Sequence, residues 1–264
     1  MTASRVALSI AGSDPSGGAG IQADLKTFHR FGVYGEAIPT LITVQNSVRS
    51  SRVEVLEPGL VAEQIAAVLE DMPPHAAKTG ALGSAAVARV VAEAARAFAF
   101  PLVVDPVMSG KHGLALAQSD MLPVLRTELM PLAALLTPNL AEAEALTGLR
   151  IVSLEDMRHA ARELIRLGAR AVLIKGGHLA GDPVDLGFDG ESFREFAGER
   201  IATRHTHGTG CTYSAAITAG LARGVPLWEA VAVARRFVQE AIRTNPEFGR
   251  GNGPLNFHAE SGIS

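Results

Sequence analysis

Short apolar runs alternate along this chain with segments of helical period, and that alternation constrains its fold more than any other feature. "RVALSIAG" (Arg5 to Gly12) reads as a buried strand, and a helix follows from about Ala19, with Ile21, Gln22, Leu25, Phe28 and Phe31 at spacings of three and four. "AIPTLITVQN" reads as a second strand and "AAKTGAL" as a strand and turn. "PLVVDPVM" is a strand ending at Asp105, "LAALLTPN" one ending at Asn139, and "RAVLIKGG" one ending at Lys175. Between them, "GLVAEQIAAVLEDM", "SAAVARVVAEAARAFAF", "LAEAEALTG" and "LEDMRHAARELIRLGA" carry helical spacing, with Gly148 and Gly168 as helix stops. "VDLGFDGESFREFAG" has the alternation and the Asp-Gly turn of a hairpin. Two helices, about Thr209 to Ala222 and Leu227 to Ile242, close the chain.

This order predicts βαβ units. The expected fold is α/β: a mostly parallel central sheet flanked by helices on both faces, with an antiparallel edge hairpin. No repeat of about 20–50 residues interrupts it, so residues 1–264 are expected to form a single domain. A hydrophobic share of 47% against 19% charged residues supplies a core and excludes a disordered chain. The net charge of -3 is scattered in both signs, so no nucleic acid partner is expected. The single cysteine excludes an internal disulfide framework. No His/Cys/Asp cluster has zinc spacing, and no structural zinc is expected. "MTASRVALSIAGSD" has too short an apolar run for a signal peptide. Arg and Glu break the longest apolar regions, so no membrane span is expected. These readings make a soluble, cytoplasmic protein the expectation.

In open α/β sheets, ligands bind beyond the carboxyl ends of the strands. Those ends carry "GSDPSGGAG" (Gly12 to Gly20), Asp105, Asn139 with Glu142 three residues on, and Lys175 before two glycines. The lone cysteine stands in "THGTGCTYSAA", behind a glycine turn and at the start of a helix. A helix N-terminus exposes free N–H groups and the positive end of its dipole, and glycines let an anion come close. Gly208, Thr209, Gly210 and Cys211 therefore fit either an anion cradle or a plain turn of small residues. Asp105 and Glu142 are candidate Mg²⁺ carboxylates; otherwise they are a turn cap and a solvated first-turn residue. Lys175 fits a phosphate contact or a solvent-facing lysine, and His178 and His207 are open in the same way. "SDPSGGAG" lacks the spacing of a P-loop, and its glycines do not give a dinucleotide fingerprint, which weakens NAD chemistry.

From "IAGSDPSGGAGIQADLKTF" through "KTGALGS", "VVDPVM", "LLTPNLAEAEAL" and "VLIKGGHL" to "THGTGCTYSAA", the chain resembles the bacterial hydroxymethylpyrimidine/phosphomethylpyrimidine kinases of thiamin biosynthesis, in the ribokinase superfamily. The resemblance implies a ribokinase-like fold and ATP-dependent phosphorylation of 4-amino-5-hydroxymethyl-2-methylpyrimidine, then of its monophosphate. It implies that Gln45 hydrogen-bonds the pyrimidine, that Gly12, Asp14, Ala19 and Asp24 line its pocket, and that Val107 packs near the ring. Asp105, Asn139, Glu142, Lys175 and Thr209 would serve the nucleotide, with Asp105 and Glu142 organising Mg²⁺. Gly208 to Cys211 would be the anion hole. Cys211 stands where the superfamily's sugar kinases place a basic aspartate. A helix N-terminus lowers a thiol's pKa, so a thiolate base is the expectation. A homodimer is likewise implied. Ala81 (often Met in the family), the loop "MSGKHG" and Tyr213 depart from the usual pattern. Two other functions fit the same motifs: a pyridoxal kinase, and a non-catalytic ligand-binding protein of this fold.

Overall fold

The computed structural model describes residues 5–110, 113–177, 179 and 181–262. Lys111 and His112 of the "MSGKHG" loop, and His178, lie outside the described residues.

One nine-stranded sheet has the order β3-β2-β1-β4-β5-β6-β7-β8-β9. The strands are β1 (Val6–Ser13), β2 (Tyr34–Gln45), β3 (Ser50–Val55), β4 (Ala76–Thr79), β5 (Leu102–Val104), β6 (Leu135–Leu136), β7 (Val172–Ile174), β8 (Val184–Phe188) and β9 (Phe193–Ala197). Neighbours from β2 through β7 pair in parallel, whereas β3 joins one edge and β8 and β9 the other in antiparallel fashion. The central strands are apolar throughout because both faces are covered. Leu8, Ile10, Ala77, Val104 and Ile174 face one core. Ala7, Ala76, Val103 and Leu173 alternate with them and face the other.

The first core is closed by α2 (Pro58–Asp71), α3 (Ala85–Ala95), α4 (Met121–Val124), α5 (Leu140–Thr147) and α6 (Leu154–Arg166). The second is closed by α1 (Gly20–Arg30), α7 (Thr209–Ala222) and α8 (Leu227–Arg243). Burying a side chain such as Phe28 or Ile217 contributes about 1.5–3 kcal/mol, so these two faces hold the sheet rigid beneath the loops. Local chemistry sets the helix ends. Ser84 and Ser153 cap α3 and α6 with their hydroxyls, and Gly148, at φ 76°, closes α5.

Several expectations shift. The sheet gains β3, an edge strand opposite the expected hairpin. α3 stops at Ala95 rather than near Phe100, and Phe98 and Phe100 stack on each other against the core. α1 buries Ala23, Asp24, Thr27 and Phe28, so its inward face includes an acid. The irregular stretch from Met121 to Leu132 was not foreseen; α4 runs on into a π turn and a 3₁₀ turn there.

Candidate active site

Beyond the carboxyl ends of the parallel strands lies a cavity of about 700 Å³. Gly12, Asp14, Ala19, Gln45, Asp105, Val107, Asn139, Glu142, Lys175, Gly208, Thr209, Gly210 and Cys211 all stand on its wall. Positions scattered over most of the sequence thus converge because each follows the end of a strand or starts a helix. Ala81 and Tyr213 share the wall.

At one end, α7 begins behind Gly208, whose φ of 81° turns the chain without a side-chain cap. Only glycine fits there: a Cβ would lie 1.7 Å from the Gly18 carbonyl oxygen. The first turn of α7 therefore presents its backbone amides and dipole without a capping side chain. Gly210 packs over an ion pair, since a Cβ on it would lie 3.3 Å from Lys175 Nζ and 3.8 Å from Asp105 Oδ2. Lys175 Nζ donates to Asp105 Oδ1 at 2.8 Å. Thr137 Oγ1 donates to the same oxygen at 3.1 Å, and Ser214 Oγ to Asp105 Oδ2 at 3.2 Å. Burial pushes the Asp105 carboxyl up, but Lys175 and Lys78 overcome it and hold it below the usual carboxylate range. Burial likewise works against the Lys175 ammonium, and Asp105 and Glu142 keep it charged.

Glu142 is buried, not solvated. It and Asn139 form a reciprocal cap at the start of α5: Asn139 N donates to Glu142 Oε2 at 2.8 Å, and Glu142 N to Asn139 Oδ1 at 2.9 Å. Burial, with the nearby Asp105 charge adding to it and Lys175 opposing, pushes the Glu142 carboxyl up to about 7.

Cys211 departs from its expected chemistry. Burial pushes its thiol up to about 11, against the pull of Lys78 and of the Gly20 N–H, while Asp24 and Asp105 add to the rise. The direction runs opposite to the one a helix terminus imposes on a thiol. Asp24 also departs from expectation. It is fully buried behind the cavity wall, where Lys78 Nζ donates to it at 2.8 Å and Ser9 Oγ at 2.6 Å. Its carboxylate neutralises Lys78, leaving no face for a substrate. Burial opposes the Lys78 charge, and Asp24, with Asp105 beyond it, more than offsets it.

Beside the glycine turn, the loop from Asp14 to Ala19 curls round the Asp14 carboxylate. Ser16, Gly18 and Ala19 donate their backbone N–H groups to it, at 2.9, 3.2 and 2.8 Å. His207 Nε2 meets Asp14 Oδ2 at 2.8 Å from across the chain. Burial raises the Asp14 carboxyl, but bonds from His207, Ser16 and Gln45 hold it well below the usual range. Gln45 accepts from Ser50 Oγ at 2.9 Å as well, so its amide is oriented before any ligand arrives.

Sequence reasoning left His207 open and passed over Lys78. A 193-residue separation hides the first. The second carried a signal, a lysine inside the apolar run "AAKTGAL". Asp185 was missed too. It accepts from Gly176 N at 2.9 Å and pairs with Arg235 at 3.1 Å, which fixes the turn after Lys175.

The sequence model of the phosphomethylpyrimidine kinase family matches residues 14–256. The chain belongs to that family. It is 48% identical over 258 residues to the hydroxymethylpyrimidine/phosphomethylpyrimidine kinase of Rhizobium meliloti, covering 96% of this chain and 97% of that protein. It is 50% identical over 253 residues to the thiamine biosynthesis bifunctional protein ThiED of Geobacter sulfurreducens. There the match covers 94% of this chain and only 51% of the relative, about half of that longer protein. The pyridoxal kinase of Staphylococcus aureus, solved in complex with AMP-PCP and pyridoxal, superposes with a TM-score of 0.90 at 36% identity, covering 99% of this chain and 96% of that one. The family's members are kinases, and the fold is that of the pyridoxal kinase-like structures. No helix among the described residues is long and apolar enough to cross a membrane.

Proposed function

We propose that this phosphotransferase moves the γ-phosphoryl group of ATP to the hydroxymethyl oxygen of 4-amino-5-hydroxymethyl-2-methylpyrimidine. It then phosphorylates the monophosphate to the pyrophosphate, in thiamin biosynthesis. Residues 1–264 act as one kinase domain, in the cytoplasm and as a homodimer, as the family resemblance implies. The observation that carries the reading is the uncapped turn of α7 standing over the Lys175–Asp105 pair, in the same cavity as Gln45 and Asp14.

The pyrimidine occupies the end walled by Gly12, Asp14, Ala19, Gln45 and Val107. Its hydroxymethyl oxygen forms a bond to the γ-phosphorus while the bond to the β–γ bridging oxygen breaks, and ADP leaves. Charge on the migrating group meets the amides of Gly208 to Cys211 and the Lys175 ammonium. Phosphoryl transfer has a loose transition state, so positioning and charge stabilisation dominate. With its thiol near 11, Cys211 takes the alcohol proton only through its minor thiolate form, late in the transfer.

Among the described residues no three His, Cys, Asp or Glu side chains are grouped to hold a metal. Two carboxyls on one cavity wall fit a magnesium ion that keeps waters and phosphate oxygens as its other ligands. Asp105 and Glu142 would hold it, with Asn139 and Thr209 beside the nucleotide. When bound, it neutralises phosphate charge.

An assay of ATP consumption on the free pyrimidine, its monophosphate and pyridoxal tests this reading. Turnover of both pyrimidines is expected. The similarity to a pyridoxal kinase supports a second reading, and a tenfold or greater preference for pyridoxal in kcat/KM would establish it. No ATP consumption with any ring would leave a ligand-binding protein of this fold.

A further inference from the structure

We infer that His207 is a positioning residue, a strut that sets the spacing between the substrate loop at Asp14 and the glycine turn that receives the phosphoryl group. This rests on the kinase reading above.

The contact joins two pieces of chain that must keep register for transfer. His207 immediately precedes Gly208, and its Nε2 reaches Asp14 Oδ2 at 2.8 Å. Both side chains are buried. The Asp14 carboxylate is held ionised and can only accept, so Nε2 carries the proton and donates. From the Asp14 side, the same carboxylate gathers the N–H groups of Ser16, Gly18 and Ala19, and Ala19 lies on the cavity wall. From the His207 side, the backbone is fixed independently, since His207 N donates to the Gly253 carbonyl at 3.0 Å.

The two pieces also touch through their backbones. A Cβ at Gly208 would strike the Gly18 carbonyl, and a Cβ at Gly18 would lie 2.7 Å from His207 Cδ2. The loop and the turn are thus packed with no slack, and one donated hydrogen bond locks the packing. None of this places His207 against the reacting atoms. It acts through Asp14 on one side and Gly208 on the other. A shift of about 1 Å between reacting groups can cost about 10²-fold in rate, so the strut's effect belongs in kcat.

The test compares His207→Gln, whose amide N–H stands near the place of Nε2, with His207→Leu, which keeps volume and loses the donor. Turnover of the pyrimidine with ATP is measured beside thermal melting. The expected result is a kcat for the Gln variant within about threefold of the natural chain, and a loss of about 10²-fold for the Leu variant. The KM for ATP should stay within about threefold in both. A Leu variant with the natural kcat would overturn the inference, as would a Gln variant as slow as the Leu variant. If the Leu variant melts too low to assay, Gly18→Ala tests the strut from the loop side. Its methyl should push the imidazole off Asp14 and lower kcat in the same way, and an unchanged kcat would overturn the inference equally. If the unsubstituted chain turns over no pyrimidine, the kinase reading has failed rather than the strut.

Discussion

Lys175 and Asp105 meet at 2.8 Å just past the ends of β7 and β5, two strands apart in the sheet, and Gly210 of α7 stands over their contact. Asp105 is buried and Lys175 largely so, and each partner holds the other in its charged form. Removing one partner of such a pair costs about 3–5 kcal/mol, because the other charge is left without compensation. Lys175→Met is therefore expected to lower thermal stability and to abolish measurable transfer. Asp105→Asn combined with Lys175→Met should recover much of the melting temperature and none of the turnover. If the double variant melts no higher than the single one, the pair is not the source of the loss.

Burial of Glu142 gives a pH dependence whose sign follows from the upward direction of its shift. Its folded pKa of about 7 lies above the unfolded value of about 4.3, so the folded chain holds the extra proton. Its share of stability is present at low pH and falls as pH rises from about 5 through 7. Gln preserves the reciprocal cap with Asn139. Glu142→Gln should match the natural chain near pH ~5 and melt higher near pH ~8, both in magnesium-free buffer. Equal melting near pH ~8 would show that the buried carboxyl carries no such penalty.

Cys211, the only cysteine, permits a direct titration. Alkylation of the whole chain by iodoacetamide should be slow near neutrality, with its rate climbing toward about pH 11. A plateau between about pH 7 and 9 would instead mark a thiolate of the kind helix termini produce. Cys211→Ala should lower kcat by about 10²-fold and flatten the alkaline rise of kcat. Unchanged turnover would return the thiol to a packing role.

The order of strands and helices was readable because the central strands are apolar on both faces while most of the helices, α7 excepted, are buried on one. β3 escaped because "SSRVEV" is an exposed edge with little to bury, and its outward residues include Arg52 and Glu54. Strand ends pointed to the cavity wall because parallel α/β geometry sends them all the same way. The interior chemistry was hidden for a different reason. Whether Asp24 faces a ligand or Lys78 depends on a contact 54 residues apart. Whether Cys211 is a thiol or a thiolate depends on how much desolvation opposes the helix dipole. Neither balance leaves a mark in the local sequence.

The central proposal is that the first turn of α7 receives the phosphoryl group in flight. Transfer of labelled γ-phosphate from ATP to the pyrimidine by Gly210→Val tests it in a single turnover, with pyrimidine binding measured in parallel. The valine side chain would fill the space beside Lys175 Nζ and Asp105 Oδ2. Pyrimidine binding within a few-fold of the natural chain, with no labelled product, is the expected result; labelled product formed at the natural rate would contradict it.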